Sequence, residues 1–302
     1  MRFVNEADPT IPDARRRAER LSCWRGAVEA TPLGGGMTNT NFVVHDGGEK
    51  FVVRIGDDIP IHQVMRFNER AASIAAHAAG LSPEVVHSEA GALVMRFVEG
   101  RTLTPEEVRR PKMLPRVVEL VRRCHRELPK HLRGPALVFW PFHVLRDYAT
   151  TLEEGRSRWA PELPRFRTLI ERFEAELGPT EIVFGHNDLL PSNLIDDGER
   201  LWLIDWDYAG FSTPLFDLAN LATNGGLEPE QEDALLRLYF GAAPDPRLKA
   251  AFSAMRCTSL LREVMWSMVA EIHSTLDFDY PGYTAEQLAR FEVALRHLPG
   301  TG

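Results

Sequence analysis

The 302-residue chain is poor in cysteine. Its three, Cys23, Cys124 and Cys257, lie far apart and are odd in number. None falls in a Cys-x-x-Cys or Cys/His spacing, which argues against a disulfide framework or a structural zinc site and predicts reduced thiols. No run of about 18 apolar residues occurs and the N-terminus has no apolar leader core, so neither membrane insertion nor secretion is expected, and the chain is expected to be cytoplasmic. Basic charge is not in excess. Lys and Arg number 35 against 43 Asp and Glu, a net charge of −8, without the basic face that nucleic-acid binding normally requires. Internal repeats and low-complexity tracts are absent too. What remains, 44% hydrophobic and 26% charged, is the balance of an ordinary globular protein. At this length a single core usually divides into two lobes.

Local patterning divides the chain near Glu99-Gly100. Residues 1 to about 25 are polar and helical in character. The runs Ala27 to Leu33, Phe42 to His45 and Lys50 to Ile55, separated by glycines, predict an antiparallel meander. A helix is expected over 60–79, stopped by Gly80 and Pro83, followed by strands at Pro83 to His87 and Ala92 to Val98. Beyond Gly100 the period becomes helical. Helices are expected over 105–128, 142–154, 163–177, 214–224, 229–240, 247–275 and 284–297, and strands only near Glu181 to Phe184 and in one later hairpin. An irregular connection is expected at Val138 to Pro141. The expectation is an α+β bilobal architecture, with residues 1–99 as a small antiparallel-sheet lobe with a helical N-terminal extension. Residues 100–302 then form a large, mainly helical lobe, with a cleft between the two.

The densest chemistry lies in residues 185–205, which hold His186, Asp188, Asn193 and Asp205. Apolar runs at Leu194-Ile195 and Leu201 to Ile204 flank the turn Asp196-Asp197-Gly198, so a hairpin should return Asp205 to the neighbourhood of Asn193. An amide oxygen and a carboxylate at that end suit magnesium, with its other positions left to water and phosphate oxygens. Asp188, in the loop before the hairpin, is placed to take a proton from an acceptor hydroxyl, as phosphoryl transfer requires. His186 is expected to hold the loop by bonding backbone near Asp205, and Asp217 to anchor it from a helix's first turn. In the first lobe, Gly35 and Gly36 belong to a glycine triplet that is either a flexible hairpin turn or a phosphate-approaching loop, with Thr38 and Asn39 as further donors. Arg54 near a strand end could reach phosphates, and Glu69 in the next helix could hold it.

These residues resemble the choline/ethanolamine kinase group of the aminoglycoside phosphotransferase-like branch of the protein-kinase fold. His186-Asn187-Asp188 with Asn193 resembles the branch's His-x-Asp-x-x-x-x-Asn signature. Ile204-Asp205-Trp206-Asp207-Tyr208-Ala209 resembles the choline kinase signature, and Gly35-Gly36-Met37-Thr38-Asn39 the nucleotide loop. Arginine at the position of Arg54, where ordinary protein kinases carry lysine, is usual in that group. The resemblance spans about residues 27 to 298. It implies an ATP- and Mg2+-dependent kinase of an amino-alcohol hydroxyl, with Asp188 as base and Asn193 and Asp205 as metal ligands. It also implies an Arg54–Glu69 pair on the phosphates, an adenine hinge over Met95 to Glu99 including Phe97, and Asp207 near the acceptor or a second metal. A quaternary ammonium is held by aromatic faces and carboxylates, and Trp266, Tyr280 and Tyr283 gather in the C-terminal region with Phe278 and with Asp277 or Asp279. They read either as a cation cage or as core. Glu263 stands where the family carries tryptophan and could favour a primary ammonium. The alternatives are an aminoglycoside, thiamine or sugar acceptor, or a catalytically silent binding protein. The sequence leaves oligomeric state open.

Overall fold

The computed structural model describes residues 11–34, 38–276 and 278–298. Helix α1 (Ile11–Glu19) turns Ile11, Ala14 and Ala18 inward, three and four residues apart on one face. They meet a sheet of β1 (Ala30–Leu33), β2 (Thr40–Asp46), β3 (Glu49–Ile55), β4 (Val85–Glu89) and β5 (Ala92–Arg96) in the order β1-β2-β3-β5-β4. Every neighbouring pair is antiparallel. Strand alternation puts Phe42, Val44, Phe51, Val53 and Val94 on the face that α1 covers, all buried. Gly47 and Gly48 turn β2 into β3 at φ 58° and 84°, the left-handed pair that a two-residue hairpin needs.

The helix expected over 60–79 is shorter. A 3-10 turn at Pro60–His62 comes first, Gln63 is left-handed, and Ile59 bridges Val64. Only then does α2 (Arg66–Ala78) begin, after an extended Met65. This closed loop stops a helix from running through. The buried side of α2, with Val64, Ala72, Ala75 and Ala76, packs into the larger core rather than into the core under the sheet.

The large lobe begins with β6 (Arg101–Thr102) and α3 (Pro105–Val108), continues through α4 (Leu114–Glu127), α5 (Pro141–Glu154) and α6 (Leu163–Leu177), and reaches β7 (Val183–Gly185). There follow the hairpin β8 (Leu194–Asp196) and β9 (Leu201–Leu203), then β10 (Gly210–Ser212), α7 (Pro214–Gly225), α8 (Pro229–Phe240), α9 (Pro246–His273) and α10 (Tyr280–Arg296). The single helix expected over 105–128 is two. Pro111 has no N–H and cannot sit inside a helix, so α3 ends at Val108 and α4 starts beyond it, with its own proline, Pro115, in the first turn. Helix α10 begins four residues earlier than the pattern suggested. Asp279 caps it by accepting from Gly282 N at 3.0 Å, and Pro281 fits the first turn. Strands β6 and β10 were not expected. They are two and three residues long, too short to show alternation. The connection at Val138 to Pro141 is irregular up to the start of α5, and Val138 bridges Phe211 in parallel. Helix α9 is buried over most of its length and packs against α5, α6, α7 and α10, as a central helix does. Among the described residues no helix is long and apolar enough to cross a membrane.

The lobes meet at Gly100. A Cβ there would stand 2.7 Å from Ile195 Cγ2 and 2.9 Å from the Asp196 carbonyl oxygen, so the connection passes against the hairpin backbone. Gly100→Ala should therefore cost about 1–3 kcal/mol, read as a lowered midpoint in thermal unfolding. An unchanged midpoint would show that the connection yields freely.

Candidate active site

The loop between β7 and β8 is held from below by one carboxylate. Asp217, in the first turn of α7, accepts His186 N–H at 2.8 Å and Asn187 N–H at 2.6 Å. It also accepts from His125 Nε2 at 2.8 Å, with both side chains buried. Thr213 caps α7 and Pro214 opens it, which sets Asp217 where the helix's free N–H groups favour negative charge. Burial would raise this carboxyl, but the His125 and backbone donors outweigh it and hold it below its ordinary range. Asn187 is left-handed, φ 63°, and its amide donates to Tyr208 O and Gly210 O at 3.0 and 3.2 Å. His186 Nε2 donates to Ile204 O at 2.9 Å, so Nδ1 is the nitrogen left to accept Asp188 N–H. Burial lowers the pKa of this ring, keeping it in that neutral form.

The hairpin closes as its turn chemistry dictates. Gly198 takes φ 95°, and Asp197 accepts from Glu199 N, Arg200 N and the Trp202 indole. Leu194 faces Leu203 in the ladder, and Ile204 N–H extends it to Asn193 O at 3.0 Å. Asn193 Nδ2 donates to Asp188 O at 3.0 Å, leaving the amide oxygen as the group it can offer a cation. Residues 188, 193 and 205 are thus gathered at one end of the hairpin. Asp205 is left-handed, φ 71°. Asn187 and Asp205 are both non-glycine residues in a conformation that costs about 1–3 kcal/mol each and tends to gather at functional sites.

From the small lobe, Arg54 meets this end. Its Nη2 lies 2.7 Å from Asp205 Oδ1 and 3.0 Å from Asp207 Oδ1. Its Nε is 2.8 Å from Glu69 Oε1, an ion pair whose angle is too poor for a hydrogen bond. Arg66, which the sequence did not single out, joins the same cluster through Glu69 Oε2 at 2.7 Å and Asp207 Oδ1 at 2.9 Å. Thr38 and Asn39 donate to the other Asp207 oxygen at 2.5 and 3.0 Å. Asp207 therefore faces Thr38, Asn39, Arg54 and Arg66 of the small lobe. Burial would raise its carboxyl, but Arg54 and Arg66 hold it low, while burial pushes Glu69 up to about 7 against the same cations. Gly35, Gly36 and Met37 lie outside the described residues. In the connecting strand Met95 is buried in β5, and Phe97 N–H donates to Lys50 O at 3.0 Å, under the Lys50 ammonium.

On the opposite side of Asp188 lies a second cluster. Burial pushes the Asp188 carboxyl up to about 7, with Arg262 pulling against it and Glu263, Asp205 and Asp207 adding to the rise. Arg262 Nη1 is 3.7 Å from Asp188 Oδ1 and 2.9 Å from Glu263 Oε2, and Tyr283 donates to Glu263 Oε1 at 2.6 Å. Trp266 is buried, gives its indole N–H to Tyr208 OH at 2.9 Å, and has the His62 and Tyr280 rings 5.2 and 6.2 Å away. Tyr280 OH shares a hydrogen bond with Ser274. Burial drives His62 down to about 3, aided by Arg262, so it stays neutral. Asp277 lies outside the described residues.

Arg66, Arg262 and His125 fall in no motif of the sequence, and Asn187 stands there only within the His186-Asn187-Asp188 motif, with no role of its own. Arg66 stands three residues before Glu69, one helical turn away, a usable signal. Arg262 adjoins Glu263 near the largely apolar run from Val264 to Ala270, where a charge needs a reason. His125 gave no sign.

A loop carboxylate, an amide and a carboxylate at a hairpin end, and an arginine cluster descending from an antiparallel sheet define a phosphotransferase of bilobal, kinase-like fold. The phosphotransferase enzyme family model matches residues 29–252, and the chain belongs to that family. Protein LicA of Haemophilus influenzae is 27% identical, over 88% of this chain and 79% of that protein. Ethanolamine kinase 2 of Mus musculus is 26% identical, over 92% of this chain and 80% of that one. The crystal structure of a choline/ethanolamine kinase family protein from Mesorhizobium loti superposes with a TM-score of 0.74 at 26% identity, covering 94% of both chains.

Replacing Asp217 by alanine strands three buried donors and should cost about 3–5 kcal/mol, measured by urea unfolding. Because its folded pKa is depressed, its contribution is complete above the unfolded value near ~3.9 and is lost as pH falls through the folded one. The gap between wild type and variant should therefore narrow in acid. A gap independent of pH would contradict this.

Proposed function

We propose that this protein is an ATP-dependent kinase that transfers the γ-phosphate to the hydroxyl of choline, ethanolamine or a similar amino alcohol. The observation that carries the reading is the meeting of Asp188, Asn193 and Asp205 at one hairpin end, opposite Arg54. The names of the mouse and Mesorhizobium relatives support the acceptor class. Residues 1–99 act as the nucleotide-binding lobe and 100–302 as the acceptor lobe, and a cytoplasmic location, where ATP is abundant, suits such a reaction.

In this reading Arg54, held by Glu69, and Thr38 and Asn39 engage the phosphates. The Met95 to Glu99 strand, with Phe97, borders the adenine. Asp188 orients the acceptor hydroxyl and takes its proton. A carboxyl buried enough to approach neutrality suits that task, because proton transfer is most effective near the working pH. Asn193 and Asp205 would hold Mg2+. Their donor set is two hard oxygens, which fits an ion that shares its sphere with phosphate and water. Bound there, Mg2+ supplies charge neutralisation on the phosphate oxygens. Glu263, Trp266, Tyr280 and Tyr283 border the acceptor's ammonium end.

Asp188→Asn should lower kcat by about 10²–10⁴ while nucleotide affinity stays within a few-fold of wild type, because the metal ligands remain. Both are read by acceptor-dependent ADP release and by titration of a non-hydrolysable ATP analogue. The same release assay, run with choline, ethanolamine, their methylated intermediates, thiamine and aminoglycosides, tests the acceptor. Turnover confined to thiamine or aminoglycosides would overturn the amino-alcohol reading.

A further inference from the structure

We propose that Arg262 is a positioning residue that aims Asp188 and couples it to Glu263 and Tyr283. This inference rests on the amino-alcohol reading above. Arg262 is 2% exposed, in the middle of a helix whose neighbouring residues are almost all buried. A buried guanidinium is strongly unfavourable without partners, so its surroundings define its task. Its carbon lies 4.3 Å over the Tyr208 ring and 6.0 Å from the Phe139 ring centre. Nε and Nη2 are buried and make no hydrogen bond, so the flat group is clamped against aromatic faces. Tyr208 is fixed in turn, since its hydroxyl accepts the Trp266 indole N–H. Among the described residues only Nη1 makes ionic contacts, and two acids share it: Glu263 at 2.9 Å and Asp188 at 3.7 Å.

The inequality of those distances is informative. At 2.9 Å the guanidinium is hydrogen-bonded to Glu263. At 3.7 Å it lies beyond hydrogen-bond range of Asp188, so it attracts the carboxylate without capping an oxygen. Asp188 keeps its lone pairs for a hydroxyl while its direction is fixed. Glu263 prevents Arg262 from closing that gap, and Tyr283 holds Glu263 by its other oxygen. The chain of contacts Tyr283–Glu263–Arg262–Asp188 links the acceptor's ammonium end to the base. Glu263 opposes the Arg262 charge beside the place proposed for a single ammonium. Without the Glu263 carboxyl, Arg262 is free to bind the base directly.

The test is steady-state kinetics of wild type, Arg262→Met, Arg262→Lys, Glu263→Gln and the Arg262→Met/Glu263→Gln double variant. Each is assayed on the best amino alcohol and on the uncharged tert-butyl analogue of choline. Arg262→Met should lower kcat about a hundredfold on both acceptors, the scale of an ångström's misplacement of a reacting group, with KM for ATP and nucleotide affinity near wild type. Arg262→Lys should recover about tenfold of that loss, because it restores the charge without the planar fork. Glu263→Gln should lower kcat and also raise KM for the charged acceptor alone. The double variant should be no worse than the worse single one, because the two residues act as a unit. Wild-type kcat in Arg262→Met, loss of nucleotide binding along with turnover, no rescue by lysine, or additive losses would each overturn the inference. A wild type that phosphorylates no amino alcohol would overturn the functional reading, and this inference with it.

Discussion

One buried carboxylate, Asp207, joins the two lobes. Its side chain accepts from Arg54 and Arg66 on one oxygen and from Thr38 and Asn39 on the other. All four donors belong to the small lobe, while Asp207 sits just beyond the hairpin of the large one. The local cluster, with Glu69 and Asp205, holds two guanidinium groups and three acids. Removing one member from such a set leaves an uncompensated charge in a low-dielectric interior. The interlobe geometry is therefore fixed by electrostatics at the place where phosphate would enter, and the apolar packing of α2 into the large core supports it from behind.

From that joint the site reads outward in both directions. On one side Arg54 approaches Asp205, so the group suited to phosphate and the carboxylate suited to metal are already adjacent. On the other side the loop carrying Asp188 hangs from Asp217, and the left-handed Asn187 turns the chain just before it. Hydrogen-bonded backbone thus carries the proposed base, and the side chains around it are largely tied to one another. Catalysis by positioning and charge compensation needs this preorganisation, because phosphoryl transfer gives the protein little covalent work.

The parts that were legible in the sequence are local ones. Asp188, Asn193 and Asp205 fall within one short segment, so turn residues and two apolar runs were enough to predict that they meet. The meander around Gly47-Gly48 was equally plain, as its strands are consecutive. What escaped was long-range or contrary to composition. Asp207 meets Thr38, Asn39 and Arg66 across more than a hundred residues of chain, and no periodicity reports such a contact. Arg262 lies near the largely apolar run from Val264 to Ala270, whose bulk signal is that of core. The helix over 105–128 was read through Pro111, although proline chemistry announced the break. Strands β6 and β10 exist because partners in the large lobe pair with them, not because two or three residues prefer to be extended.

If Asp188, Asn193 and Asp205 gather around a metal-bound triphosphate beneath the Arg54 cluster, a crystal structure with Mg2+, a non-hydrolysable ATP analogue and an amino alcohol will show it. The metal ion is then ligated by the Asn193 amide oxygen and the Asp205 carboxylate, with the acceptor hydroxyl hydrogen-bonded to Asp188. A nucleotide bound outside the interlobe cleft, or a metal that touches neither Asn193 nor Asp205, would contradict it.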